Sequence, residues 1–234
     1  QSVSLVGTWM QHVAMSWLVY RLTNSALLLG LVGFVSQAPS IALSPFAGVF
    51  VDHWDRKKII IVTQCIALLQ AGLLAVFVFT GTISVAKVMV LGAVLGMIGA
   101  LDIPARHAFI ADMIEDRKDL DNAIALNSLM FNAARLVGPA IAGVLVAAAG
   151  EGVCFVLNAC SYAAVIVALL FMRMPLRSWK PDSGDAFTRL KEGIHYAFGS
   201  APIRSLLVMV GLMSMLGMAK ATLMPVFARD ILKG

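Results

Sequence analysis

The sequence predicts an all-α integral membrane protein, a helical bundle with about seven transmembrane helices, and three observations carry that reading. Of the 234 residues, 60% are hydrophobic and only 13% are charged, whereas an ordinary soluble domain is about 25% charged; mean hydropathy is +0.88. Apolar runs near or above the roughly 18 to 20 residues needed to cross a bilayer recur along the chain. The 19 glycines suit close helix packing in lipid better than strands, and a lipid-exposed backbone must satisfy its own hydrogen bonds.

The first span is expected over residues 1–22 and closes in the turn Arg21-Leu-Thr-Asn-Ser25. The second, over 27–51, runs into the charged segment ending at Lys58, from which the third rises over 58–80. Thr80-Gly-Thr-Ile-Ser84 turns the chain into a fourth span over 84–105. A fifth over 123–149 and a sixth over 152–174 are joined by Gly150-Glu-Gly152. A seventh is expected over 204–227.

The connections alternate in charge. Arg56, Lys57, Lys58, Arg106, Arg117, Lys118, Arg173, Arg177, Lys180, Arg189, Lys191 and Arg204 lie on one side, against Arg21 and Lys87 at the opposite turns. The positive-inside rule places the basic side in the cytoplasm, which makes the 52–58, 106–121 and 175–203 loops cytoplasmic in a multi-pass plasma-membrane protein. Arg229 and Lys233, after the seventh span, run against that count.

The segment Pro175 to Pro202 is the long polar connection, with Phe187, Leu190, Ile194 and Phe198 at helical spacing. Two readings stay open for it: an amphipathic helix on the membrane surface, or a linker helix without lipid contact. The organisation expected is therefore a six-helix half over 1–174, a central loop over 175–203, and over 204–234 the start of a second half. Because the chain opens on Gln1 inside an apolar run, without a basic n-region or cleavage site, it reads as a piece of a longer protein with no signal peptide.

The net charge of +5 comes from cations flanking the spans rather than from a basic, aromatic-interleaved surface, so nucleic acid is not an expected partner. Lipid and a small-molecule substrate are. Cys65, Cys154 and Cys160 all fall within spans, with no Cys-x-x-Cys and no Cys/His cluster; they are expected to be buried, inert thiols, without disulfide or metal.

The segment from Gly48 to Lys58 is the most informative in the chain. Gly48 allows close backbone approach near the end of the second span, and Asp52, one turn later, can reach Arg56 or the positive N-terminus of a neighbouring helix. With Lys57 these residues form a candidate latch between helices. The arrangement resembles the Gly-x-x-x-Asp-Arg-x-Gly-Arg-Lys signature of the major facilitator superfamily, found there between the second and third helices. Gly48, Asp52, Arg56 and Lys57 match; His53 replaces the first basic residue and Asp55 the internal glycine, a position where aspartate tolerates a left-handed turn.

In the fifth span, Asn132-Ala-Ala-Arg-Leu-Val-Gly-Pro-Ala-Ile-Ala-Gly143 resembles the Gly-Pro element of exporters and antiporters in that superfamily. Gly138, Pro139 and Gly143 agree, while Ala134 and Ala142 stand where glycines are usual. Ordinary small-residue packing is the competing reading. The segments Trp17-Leu-Val-Tyr-Arg-Leu-Thr, Asp102-Ile-Pro-Ala-Arg-His-Ala-Phe, Asn122-Ala-Ile-Ala-Leu-Asn-Ser and Leu223-Met-Pro-Val-Phe-Ala look most like the exporter branch that includes enterobactin and macrolide efflux permeases.

The resemblance covers essentially the whole chain. It implies twelve helices in two six-helix halves and a monomeric exporter working by alternating access. The energy source would be a proton gradient, with no cofactor, and the location a bacterial inner membrane. It also implies that Asp102 pairs with Arg56, against the local alternative of an Asp102–Arg106 pair.

A transporter needs polar groups at membrane depth, because charge facing lipid costs at least about 2.5–3.5 kcal/mol. Arg135, with Asn127, Ser128, Phe131 and Asn132 nearby, is expected to face the bundle interior. There it would bind an anionic or oxygen-rich substrate, or a carboxylate, or serve as an interhelical node. Asp102 and Arg106 flank Pro104, and Asp102 is the best-placed acid for a proton path. Gln11 and Lys220 are candidate substrate contacts, Lys220 alternatively snorkelling to the interface; His12 reads as a packing residue.

Chemistry other than transport finds little support. The chain has no Gly-x-x-x-x-Gly-Lys-Ser/Thr loop, and His12, His53, His107 and His195 show no nucleophile–base spacing, so an enzyme is not expected. A uniporter, an importer or a lysophospholipid-moving relative is the alternative within transport; a membrane scaffold or membrane enzyme is the alternative outside it.

Overall fold

The structure is a computed structural model that describes residues 2–114, 119–172, 196, 198–222 and 226. Among these, all regular elements are helices: α1 (Ser2–Thr23), α2 (Ala26–His53), α3 (Arg56–Phe79), α4 (Val85–Met113), α5 (Leu120–Ala149), α6 (Glu151–Phe171) and α7 (Ala201–Thr222). Five of them, α2 to α6, are long and apolar enough to cross a membrane. In α1, 22 residues long, Gln11, His12 and several serines lower the hydropathy; in α7 the described side chains, Ala201–Met213, form an apolar stretch.

Tight turns with local caps connect the first four helices. Ser25 accepts from the Leu28 amide, Asp55 from Lys58 and Ser84 from Lys87, each closing an open N-terminus with its own side chain. Between α5 and α6 the chain reverses at Gly150, whose φ of 80° is a conformation that side chains resist.

The sequence-based boundaries differ most in α4, which runs through Pro104 to Met113 rather than stopping near 105. Proline removes one intrahelical bond, but the residues after it are good helix formers. Ala105 and Phe109 are buried with Val51, Ile59, Ile60 and Leu169. Packing therefore carries the helix onward, and the expected 106–121 loop is helical up to Met113 and again from Leu120.

The helices pack as α1 against α5 and α6, α3 against α4 and α6, and α2 against α4. Small residues set these approaches. A Cβ on Gly138 of α5 would lie 2.6 Å from Trp9 Cβ and 2.9 Å from the Val6 carbonyl oxygen of α1. Gly92 and Gly96 of α4 face Ser36 of α2, and Gly7 of α1 faces Asn158 of α6. The main core joins Met10, Ala14 and Leu18 with Leu29, Leu74, Leu91, Leu95 and Phe155.

Several expectations need correction. Among the described residues a Cβ on Gly48 would meet nothing within 4 Å, so no close approach between them depends on it; Ala47 and Val51 are the buried residues there. Asp55 has φ −62° and ψ 109°, extended rather than left-handed, because the turn is made by a helix cap. Only Cys154 is buried; Cys65 and Cys160 lie on the outer surface of the bundle. Of the amphipathic stretch, Phe187, Leu190 and Ile194 lie outside the described residues, and Phe198 is exposed.

Candidate functional site

The first polar region is the charged end of the bundle, where α2 passes into α3. Arg56, the first residue of α3, donates from Nη1 to Asp112 Oδ2 of α4 at 2.5 Å and to the Ala108 carbonyl at 3.4 Å. Its Nη2 lies 3.8 Å from Asp52 Oδ1 of α2. Lys57 Nζ donates to the Met172 carbonyl at the end of α6 at 2.7 Å. Two successive basic residues thus tie four helices together at one end.

Asp102 is not the partner of Arg56 in this structure. Its Oδ2 accepts from Arg106 Nε within α4, while Oδ1 accepts from Thr63 Oγ1 at 2.7 Å and Gln64 Nε2 at 3.2 Å, both on α3. The local alternative is the one observed. The reason lies in the length of α4: its continuation to Met113 carries Asp112 to the level of Arg56, and Asp102 is left deeper, beside Thr63. Asp102 and Arg106 are both largely buried, with side chains 14% and 15% exposed.

The second region is a chain of buried amides in the middle of the bundle. Gln11 Nε2 of α1 donates to Gln70 Oε1 of α3 at 2.8 Å, and Gln11 Oε1 accepts from Asn158 Nδ2 of α6 at 2.7 Å. Gln70 Nε2 donates in turn to the Leu91 carbonyl of α4 at 3.1 Å, and Ser161 Oγ to Asn158 Oδ1 at 3.0 Å. Thr8 and Tyr162 share a hydrogen bond at 3.0 Å nearby. Gln11 is fully buried, so it joins helices here rather than reaching a substrate.

The third region is the open face formed by α5 beside α1. Arg135 is exposed rather than turned into the bundle, with Cζ 5.7 Å from the Trp9 ring centroid. Trp9 meets Phe131 edge-on at 5.9 Å and His12 at 6.1 Å. His12 is itself exposed, as are Ser128 and Asn132; the Asn132 amide donates back to the Ser128 carbonyl at 2.8 Å. The Gly-Pro element divides: Gly138 is buried against α1, Pro139 is half-buried, and Gly143 faces open space. Lys220 lies in α7, its side chain outside the described residues.

At the opposite end, Arg21 clamps Glu151 with two hydrogen bonds, Nε to Oε1 at 2.8 Å and Nη2 to Oε2 at 3.0 Å. That ion pair ties α1 to α6 at this end.

Comparison with known proteins identifies the family. The model of the transmembrane secretion effector family matches residues 1–234. The chain belongs to that family. Over 231 residues it is 26% identical to the staphyloferrin A transporter of Staphylococcus aureus, covering 98% of this chain and 57% of the relative. The multidrug efflux pump Tap of Mycolicibacterium fortuitum is 24% identical over 86% of the chain and 51% of its own length. Macrolide efflux protein A of Streptococcus pyogenes is 26% identical over 62% of the chain and 36% of its own length. The chain thus spans about half the length of the curated relatives it matches, and these are major facilitator transporters, not enzymes.

The residues in these regions that sequence reasoning missed are Asp112, Gln64, Gln70, Asn158, Glu151 and Trp9. Gln64 and Gln70 are detectable in principle, as amides interrupting an apolar run. Asp112 is not, since its role depends on α4 continuing past Pro104.

Proposed function

We propose that the complete protein is a secondary active exporter moving a small organic molecule outward across the bacterial inner membrane by alternating access, with proton entry as the energy source. The observation that carries this reading is the uneven bracing of the two ends. Arg56 and Lys57 join α2, α3, α4 and α6 at the cation-rich end, while Arg21–Glu151 joins two helices at the other. Ion pairs at a membrane–water boundary are weak enough to exchange partners as one half rocks against the other.

In this reading the cation-rich end faces the cytoplasm, as the positive-inside rule requires. Asp52, Arg56, Lys57 and Asp112 latch the cavity there. Asp102 is the proton-accepting candidate, and release of the Arg106 pair would accompany its protonation. Residues 1–174 supply the first half, and α7 begins the second. The protein acts as a monomer. The similarity to a staphyloferrin A transporter and to multidrug and macrolide efflux proteins favours siderophores and drugs as substrate classes.

Everted membrane vesicles carrying the full-length protein test the reading directly. Siderophores, macrolides and dyes are supplied outside with a respiratory substrate, and uptake is followed with and without a proton uncoupler. Uptake that collapses with the uncoupler is the expected result. Uptake indifferent to it would remove proton coupling. Movement in the opposite direction would favour the importer alternative.

A further inference from the structure

Arg135 stands about midway along α5, and it is the single lysine or arginine in that helix. It is exposed, and it meets no carboxylate among the described residues. A guanidinium at this depth is costly against lipid and stable beside water or an anion. Trp9 lies beneath the guanidinium at 5.7 Å, and Phe131 and His12 pack against the indole in turn.

The base of the Trp9 side chain is held at its Cβ. The α1 backbone lies against Gly138, with Ala134 and Ala142 buried on the same stripe of α5. The root of Trp9 is therefore fixed by the α1–α5 joint, and Phe131 and His12 flank its ring. A guanidinium stacked on one face keeps its in-plane N–H fork free, and that fork matches the two oxygens of a carboxylate. In α1 the other cation is Arg21, in the last turn. One guanidinium balances a monoanion, which favours a carboxylate over a doubly charged phosphate.

We propose that Arg135, Trp9, Phe131 and His12 form a subsite for an organic carboxylate with a planar body, the carboxylate on the Arg135 fork and the plane against the aromatic wall. The subsite rests on the exporter reading for its water-filled path, and it narrows the substrate class of that reading.

The test is equilibrium binding of radiolabelled salicylate, and of its uncharged analogue salicylamide, to the full-length protein in phosphatidylcholine nanodiscs. Saturable salicylate binding is expected, with salicylamide weaker by about tenfold or more, as loss of a charge-assisted fork implies. Arg135→Gln should weaken salicylate to the level of salicylamide. Arg135→Lys should recover part of the difference, because it keeps the charge and loses the fork. Trp9→Leu should weaken both ligands.

Equal binding of the two ligands, or salicylate binding indifferent to Arg135→Gln, overturns the subsite. So does absence of salicylate binding, whether Arg135 is then occupied by a carboxylate of the remaining polypeptide or by a lipid phosphate. Phosphatidylglycerol nanodiscs identify the latter, as lipid retention that falls in Arg135→Gln. Uncoupler-sensitive efflux without salicylate binding leaves the exporter reading standing and removes the subsite. Binding without efflux of any substrate leaves the subsite standing and removes the exporter reading.

Discussion

Helices α3 and α5 are both apolar and long enough to span, yet half of the most apolar stretch of α3 is buried in the bundle and only 17% of that of α5. On α3, Thr63, Gln64 and Gln70 are all inside, bonded to α4 and to α1. On α5, Ser128, Asn132 and Arg135 stand on the open face, and the buried residues are Ala134, Gly138 and Ala142. Polar side chains thus serve opposite purposes in the two helices. In α3 they join the bundle from within; in α5 small residues make the joint, and polar ones are left for whatever lies outside.

Substitutions at the α5 joint should have the largest effect on stability. Gly138→Val puts a branched Cβ into Trp9 and the α1 backbone, an overpacking that costs about 1–3 kcal/mol or more. Gly143→Val, five residues on, should be nearly silent because nothing lies within 4 Å. Thermal unfolding of the full-length protein in detergent checks the pair. Equal losses would show that the Gly-Pro element acts as a unit, against the division described above.

Next come the amides of α3. Gln70→Leu removes one hydrogen bond to Gln11 and one to Leu91, leaving buried groups unpaired at a cost of about 1–3 kcal/mol. Asn158→Leu should act through the same chain, so the double variant should lose less than the sum of the singles. Strict additivity in unfolding experiments would mean that the amides are independent.

A smaller stability effect is expected at the charged end. Arg56→Asp and Asp112→Arg should each reduce efflux while the protein stays in the membrane, and the combined reversal should recover part of the loss. Arg56→Asp with Asp102→Arg should recover none, since Asp102 is engaged with Arg106, Thr63 and Gln64. Recovery by the second combination alone would identify Asp102 as the functional partner in another conformation. Asp52→Asn, at the longer 3.8 Å contact, should have the weakest effect of the set.

The smallest stability change should come from the open face of α5. Ser128→Ala is expected to shift stability by less than about 0.5 kcal/mol, as an exposed residue away from packing features. Destabilisation on the scale of Gln70→Leu would mean that Ser128 faces an element of the complete protein and is buried there. Unfolding of the full-length variant decides between these.

Much of the helical order was legible because membrane helices must be long, apolar and internally hydrogen-bonded, and hydropathy reads all three. The hinge was legible too, because charge between apolar runs can only sit at a boundary; Asp52 and Arg56 do meet there. Partner choice was not. Asp102 and Asp112 lie on one helix at different depths, and only the continuation of α4 past Pro104 decides which carboxylate reaches Arg56.

Burial was equally beyond the linear pattern. Gln11 and Arg135 both interrupt apolar runs, yet one is sealed among amides and the other stands on an open face. A helix that is apolar all round gives no stripe to mark its inner side. Sequence alone determined the solvent this chain folds in, its helical order and its family. The tertiary structure decided which side of each helix is inner, because neighbouring side chains and backbone fit there, with small residues at Gly7, Gly92, Gly96 and Gly138 fixing where the helices touch.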